Sequence, residues 1–263
     1  MSLSAVSYGG GVNSVAVCVG LVERGELPDL VMFADTGGER PETYAHIALM
    51  FTWLNWRGVK CVTVRNLPAS GDKTLEENCL RRKELPSLAY GFKGCSVKWK
   101  RQPMDRYLRQ EYEPSMALLA QGIKVTRIIG IDAGETRRAK LPPDEHFIYR
   151  YPLVEWGWDR DECIKAIQRA GLPVPPKSSC FFCPAMRKKE IRDLIRYNLE
   201  RAGFRVSAFP DGEEGLGQIF ASRPDAVVLD LIEPSSQMQR ALGAQIAAVQ
   251  MCRPFAGSQR LEE

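Results

Sequence analysis

A short β-prone run, Leu3 to Ser7, leads into the loop Ser7-Tyr8-Gly9-Gly10-Gly11-Val12-Asn13-Ser14 and then into an apolar segment from Val15 to Arg24. This passage constrains the 263-residue chain more than any other. It predicts a strand, a glycine loop and a buried helix, with Gly25 placed to end that helix in the left-handed conformation. The pattern then recurs. Leu30 to Ala34 is a second strand ending in Asp35-Thr36-Gly37, and Pro41 opens a helix to about Trp56 with Ile47, Phe51 and Leu54 on one face. Val59 to Val64 is a third strand, and Val125 to Ile131 a fourth that ends in Asp132-Ala133-Gly134-Glu135. Strands alternating with helices predict an α/β fold with a mainly parallel sheet and flanking helices.

Further along, Phe147 to Val154 is expected to be extended, and Asp159 to Ala170 to form an amphipathic helix ended by Gly171. A stiff connection, Pro173-Val174-Pro175-Pro176, precedes Ser178-Ser179-Cys180-Phe181-Phe182-Cys183-Pro184. After Lys189 a second α/β pattern begins: a helix from Ile191 to Ala202 capped by Gly203, a strand from Phe204 to Ala208, a helix from Gly212 to Ala221, and a strand from Asp225 to Leu231. Two domains are therefore expected, 1–188 and 189–263, with a frayed end from Pro254 to Glu263.

The net charge is +4, too small to imply nucleic acid or membrane by itself. Its distribution is uneven. Between Cys79 and Arg109, nine basic residues face only Glu84 and Asp105, so this stretch is +7 and the other residues together are −3. Aromatic Tyr90, Phe92, Trp99 and Tyr107 lie among these charges. No apolar run reaches the ~18 residues that span a bilayer. Met1 to Gly11 lacks the basic start and apolar core of a secretory signal, so a cytoplasmic location is expected. Eight cysteines in a reducing compartment suggest metal ligation or catalysis more than disulfides.

A glycine loop between a buried strand and a helix N-terminus is a natural anion site. Its amides can approach a phosphate, and the helix dipole favours negative charge. The loop lacks the Gly-Lys-Ser/Thr ending of a Walker A motif and the spacing of a dinucleotide fingerprint. A plain tight turn is the alternative. Ser-x-Gly-Gly-x-x-x-Ser, followed by Phe33-Ala34-Asp35-Thr36-Gly37 and Pro41-Glu42-Thr43, resembles the phosphoadenosine-phosphosulfate (PAPS) reductase family of the adenine-nucleotide α-hydrolase, or PP-loop, superfamily. The resemblance covers about residues 1–188. It implies that Ser7, Gly9, Gly10, Gly11, Asn13 and Ser14 hold the phosphates of ATP, PAPS or adenosine phosphosulfate, with magnesium as an accompanying ion. Asp35 and Thr36 would lie near the same ligand. Gly130 to Arg138 is similar to the family's segment after the fourth strand, which implies nucleotide contacts from Gly130, Asp132, Glu135, Arg137 and Arg138.

Cys180 and Cys183 stand at a spacing that suits zinc or an iron–sulfur cluster. A pair of packed thiols and a redox dithiol are the alternatives. Cys79 and Cys95, flanking the basic segment, could supply two further ligands. Iron–sulfur members of the resembling family place cysteine before a basic stretch and a Cys-x-x-Cys downstream, which implies a [4Fe–4S] cluster on Cys79, Cys95, Cys180 and Cys183, with zinc as the other candidate. The adjacent cysteines of the reductases are Gly94-Cys95 here. Cys18, Cys61 and Cys163 fit buried apolar patterns, and structural roles are expected for His46 and His146.

Arg81, Arg82, Lys98, Lys100 and Arg101 could clamp a phosphate or sulfate. Nucleic-acid binding with aromatic stacking, or a merely solvated face, would also account for them. The segment from Asp193 to Leu231 resembles part of a response-regulator receiver, with Asp230 at the phosphoacceptor position. The acidic pair that would hold magnesium has no counterpart, so Asp230 is expected to be inactive. Two chemistries follow from the PAPS reductase resemblance: sulfonucleotide reduction with a thioredoxin-like reductant, or adenylation coupled to sulfur transfer from a sulfur donor. The Glu-Cys-Gly nucleophile motif of the reductases is missing, and Cys252 has a different context. A regulatory binding module, or a partner in DNA or tRNA sulfur modification, are the competing readings.

Overall fold

Six consecutive buried residues, Leu30–Asp35, form a strand with both faces covered, as expected in a sheet with helices on either side. This is β2 in a computed structural model that describes residues 3–86, 93–186, 188–209 and 212–227. The chain divides into two compact units, Met1–Met186 and Arg187–Glu263.

In the first unit β2 pairs with β1 (Ser4–Tyr8) and β3 (Lys60–Arg65), and β1 also pairs with β4 (Val125–Ile129), which pairs with β5 (Phe147–Arg150). All four pairings are parallel, in the order β3-β2-β1-β4-β5. Helix α1 (Val12–Glu23) follows β1, and α2 (Pro41–Asn55) follows β2. Between β3 and β4 come α3 (Leu75–Arg82), a π-helical turn (Ser96–Arg101), α4 (Gln102–Gln110) and α5 (Glu113–Ala120). A 3₁₀ turn (Ala133–Arg138) follows β4, and α6 (Pro152–Glu155) and α7 (Arg160–Arg169) follow β5.

One apolar layer joins Val6 and Tyr8 to α1, α2 and α7 through Val15, Val19, Met50, Leu54, Ala166 and Ile167. The opposite layer sets Ala5, Met32 and Ala34 against Met104 and Leu108 of α4. Nine of the twelve residues of α1 are buried, so the helix is fixed by its surroundings rather than by an amphipathic stripe. It ends as expected: Gly25 has φ +68°, and Glu26 N donates to Leu21 O at 2.9 Å.

The order places a topological switch between β1 and β4. From β1 the chain turns to one side of the sheet, and β4 and β5 fill the other. Ligands in open α/β sheets bind at such a point, beyond the carboxyl ends of the strands.

Three expectations need correction. The extended run at Phe147 stops at Arg150, because Pro152 opens α6. Helix α5 was not foreseen. In the second unit α8 (Lys188–Arg201) and α9 (Gly212–Ser222) form, and Gly203 at φ +89° closes α8, but Phe204 to Ala208 is not a strand. Strand propensity expresses itself only beside a pairing partner, and the first strand of a receiver would overlap Met186 to Lys189. Phe204 is 61% exposed. Tyr90, Phe92, Asp230, Cys252 and the expected fraying from Pro254 to Glu263 lie outside the described residues.

Candidate nucleotide and cysteine site

Helix α1 begins at Gly11 without a side-chain cap and without an acidic residue in its first turn. Its first amides therefore lack a local partner, which is the arrangement that attracts an anion. Gly10 bends the loop with φ +71°, a conformation that favours glycine. Gly9 faces open space, and Gly9, Gly11 and Asn13 are half-buried, whereas Gly10, Val12 and Ser14 are buried and a Cβ on Gly11 would meet Ser178 Oγ at 2.8 Å.

Neighbouring segments brace it. Gly130, just past β4, lies so close that a Cβ there would sit 2.9 Å from the carbonyl of Asn13 and 3.0 Å from the amide of Ser14. Asn13 donates to Asp132 at 2.9 Å and accepts from Arg160 at 3.3 Å. Ser14 Oγ donates to Gly11 O at 2.8 Å, a bond inside the loop itself. Ser7 Oγ accepts from the buried Arg127. Asp132 also caps the 3₁₀ turn through Gly134 N at 3.0 Å. Glu135 pairs with Arg138, and Arg137 is exposed.

Across the edge, Asp35 accepts from Gly37 N at 2.8 Å, Tyr44 at 2.7 Å and Arg65 at 2.6 Å. Burial opposes its charge, but these donors outweigh that and hold its carboxyl below the ordinary value. Thr36 is the junction of the site. Its carbonyl accepts from Leu75 N at 2.8 Å and anchors the start of α3, while its hydroxyl lies 3.3 Å from Cys180 Sγ. Thr74 caps α3 by accepting from Glu77 N at 3.0 Å. Phe181 N donates to Gly38 O at 2.9 Å, and Glu39 bridges to Cys180 in antiparallel fashion.

Cys79, Cys95, Cys180 and Cys183 gather in one apolar cluster around Leu75 and Trp99. Three separated segments supply them: α3, the π-helical turn with its N-cap Cys95, and the loop after Pro176. Trp99 is 2% exposed and anchors the π-helical turn, a geometry frequent at functional sites. Burial pushes the Cys180 thiol up to about 11, helped by Glu39 and opposed by Thr36 and Lys100. Burial and Cys95 likewise raise Cys79. As neutral thiols these groups pack like small hydrophobes. Among the described residues, no three His, Cys, Asp or Glu side chains converge at the spacing of a bound metal ion. The donor chemistry, four soft sulfur atoms in one apolar cluster, fits a thiolate-bound group.

The basic residues have separate fates. Arg81 is held by Asp72 at 2.9 Å, Arg82 by Glu84 at 2.9 Å, and Arg101 lies 3.8 Å from Asp105. Lys98 is exposed. Lys100 donates to Glu39 Oε1 at 2.7 Å, and although burial works against its charge, this carboxylate keeps the ammonium above its usual range. Glu39 is fully buried on its side-chain atoms, and its Oε2 has no partner. Sequence reasoning missed Glu39 and Arg127. A single arginine inside the apolar strand Val125–Ile129 was the available signal for the second; a glutamate after two glycines gave none for the first.

Among the described residues, no helix is long and apolar enough to cross a membrane. No family model matches the chain. A short stretch is similar to curated response regulators. It is 43% identical over 47 residues to the alkaline phosphatase synthesis transcriptional regulatory protein PhoP of Bacillus subtilis, covering 18% of this chain and 20% of that protein. It is 48% identical over 44 residues to the transcriptional regulatory protein CseB of Streptomyces coelicolor, covering 17% and 19%. The chain thus spans about a fifth of the length of these relatives. Among solved structures, the U34-tRNA thiolase NcsA from Methanococcus maripaludis with its [4Fe-4S] cluster superposes with a TM-score of 0.43 at 12% identity, covering 90% of this chain and 77% of that one.

Proposed function

We propose that this chain is an adenine-nucleotide-dependent enzyme of sulfur chemistry. The Ser7–Ser14 loop takes the phosphates of ATP or a sulfonucleotide, and Cys79, Cys95, Cys180 and Cys183 hold a [4Fe–4S] cluster or, failing that, zinc. The observation that carries the reading is the 3.3 Å contact between Thr36 and Cys180. Thr36 follows β2, which runs parallel to the β1 strand that leads into the loop, so the anion loop and the cysteine cluster lie at the same end of the sheet.

The chain's own residues supply the binding steps. Free amides at the start of α1 receive phosphate oxygens, and Gly130 and Asn13 keep the loop in its shape. Thr36 touches Cys180, and Ser178, two residues before that cysteine, lies so close to the loop that a Cβ on Gly11 would meet its Oγ at 2.8 Å. A thiolate-bound iron–sulfur cluster there would supply iron as a Lewis acid able to bind a sulfur atom. Two chemistries fit this site, sulfonucleotide reduction and adenylation coupled to sulfur transfer, and the experiments below tell them apart.

Anaerobically purified protein is expected to contain iron and sulfide with visible absorbance, and Cys180→Ser to lose both. Substrate-dependent ATP–pyrophosphate exchange supports adenylation. Sulfite release from PAPS with thioredoxin would instead establish reduction. Protein without bound metal and without any response to adenine nucleotides would overturn the proposal.

A further inference from the structure

A buried cation beneath the glycine loop has no part in the reading so far. The side chain of Arg127 is 2% exposed. Its Nη1 is paired with Asp105, its Nη2 and Nε donate to Ser7 Oγ at 2.8 and 3.3 Å, and its Nη2 lies 3.7 Å from Met104 Sδ. The guanidinium sits over the ring of Phe147 at 5.2 Å. Taking such a group out of water is costly unless it is paired and hydrogen-bonded. Asp105 supplies the counter-charge, and the remaining oxygen partner is the hydroxyl of Ser7.

A serine hydroxyl has one proton and two acceptor positions. Two N–H groups of Arg127 converge on the accepting side of Ser7 Oγ, so the proton is left to be donated elsewhere. Ser7 stands at the carboxyl end of β1, half-buried and two residues before Gly9, which faces open space. We infer that Arg127 is a positioning residue that turns the Ser7 hydroxyl into a fixed donor toward a phosphate oxygen in the loop. The inference rests on the nucleotide reading of that loop and deepens it. The competing role is a plain staple: Arg127 would tie β4 to β1 and α4 with no effect on the ligand.

A double-mutant cycle on the full chain separates the two, with ATP titrated calorimetrically into wild type, Ser7→Ala, Arg127→Met and the double variant. One hydrogen bond to a charged oxyanion corresponds to about a tenfold change in affinity. Each single variant is expected to lose about that factor, and the double variant no more than either single one. Ser7→Thr, which keeps the hydroxyl, is expected to keep most of the affinity. Should Arg127→Met fail to fold, Arg127→Lys enters the same cycle, because one ammonium cannot present the same pair of N–H groups. Unchanged binding by a folded Arg127 variant, or losses that multiply in the double variant, would overturn the inference and leave the nucleotide reading standing. No ATP binding by the wild type would end both.

Discussion

The glycine loop and the cysteine pocket share a sheet edge but are built by opposite means. The loop is eight consecutive residues whose proposed phosphate donors are chiefly backbone amides, so its shape is set by glycine and by what packs behind it. The pocket is assembled from three segments spread between Cys79 and Cys183, and side chains do all its work. One buried carboxylate, Glu39, and one half-buried lysine, Lys100, help to hold it. The difference teaches that the loop is vulnerable to added atoms, whereas the pocket is vulnerable to lost partners.

The largest expected effect tests the loop's intolerance of bulk. Gly130→Val puts carbon atoms against the backbone of Asn13 and Ser14, which should destabilise by about 3 kcal/mol and abolish nucleotide binding. Thermal melts and an ATP titration check both. If Gly130→Val is as stable as wild type and still binds, the loop does not depend on that close packing.

Next comes the pocket's dependence on partners. Lys100→Met leaves the Glu39 carboxylate buried without its cation. The cost is expected to be about 2 kcal/mol, below the full value for a buried pair because Lys100 is one-third exposed. The double variant Glu39→Gln/Lys100→Met should recover most of that loss in denaturant melts. Failure to recover would mean that the pair does more than neutralise itself.

Asp35→Asn is expected to cost about 1 kcal/mol by weakening the bonds to Arg65 and Tyr44. The pH dependence has a definite sign. Because the folded carboxyl lies below its ordinary 3.8, its stabilisation is present above that value and is lost as pH falls through the lower folded value. Wild type should therefore lose melting temperature more steeply than Asp35→Asn as pH drops below 3.8. Parallel curves would contradict the role given to Asp35. The smallest effect concerns the second unit: Phe204→Ser, at an exposed side chain, should change stability by no more than about 0.5 kcal/mol.

The same contrast explains what the sequence made legible. The parallel α/β fold followed from alternating apolar runs, and the loop followed from its glycines, because both signals are local. Cys180 and Cys183 declared themselves by spacing. Cys79 and Cys95 join them through the family resemblance; in the fold they reach the cluster through Thr36, which anchors α3, and Trp99, which anchors the π-helical turn, a docking that leaves no local pattern of its own. Glu39 carried no signal in the sequence, because its role comes from Lys100 and Cys180, which meet it only in the fold. The strand expected at Phe204 failed for the complementary reason: the residues suit a strand, and among the described residues none pairs with them.

On the reading proposed above, main-chain N–H groups at the start of α1 bind a nucleotide's phosphates. Backbone ¹⁵N–¹H resonances of the full chain, followed as ATP is added, test it most directly. Gly9, Gly10, Gly11 and Val12 are expected to shift first and furthest and to saturate together. Saturable ATP binding that moves other amides and leaves these four unmoved would contradict it.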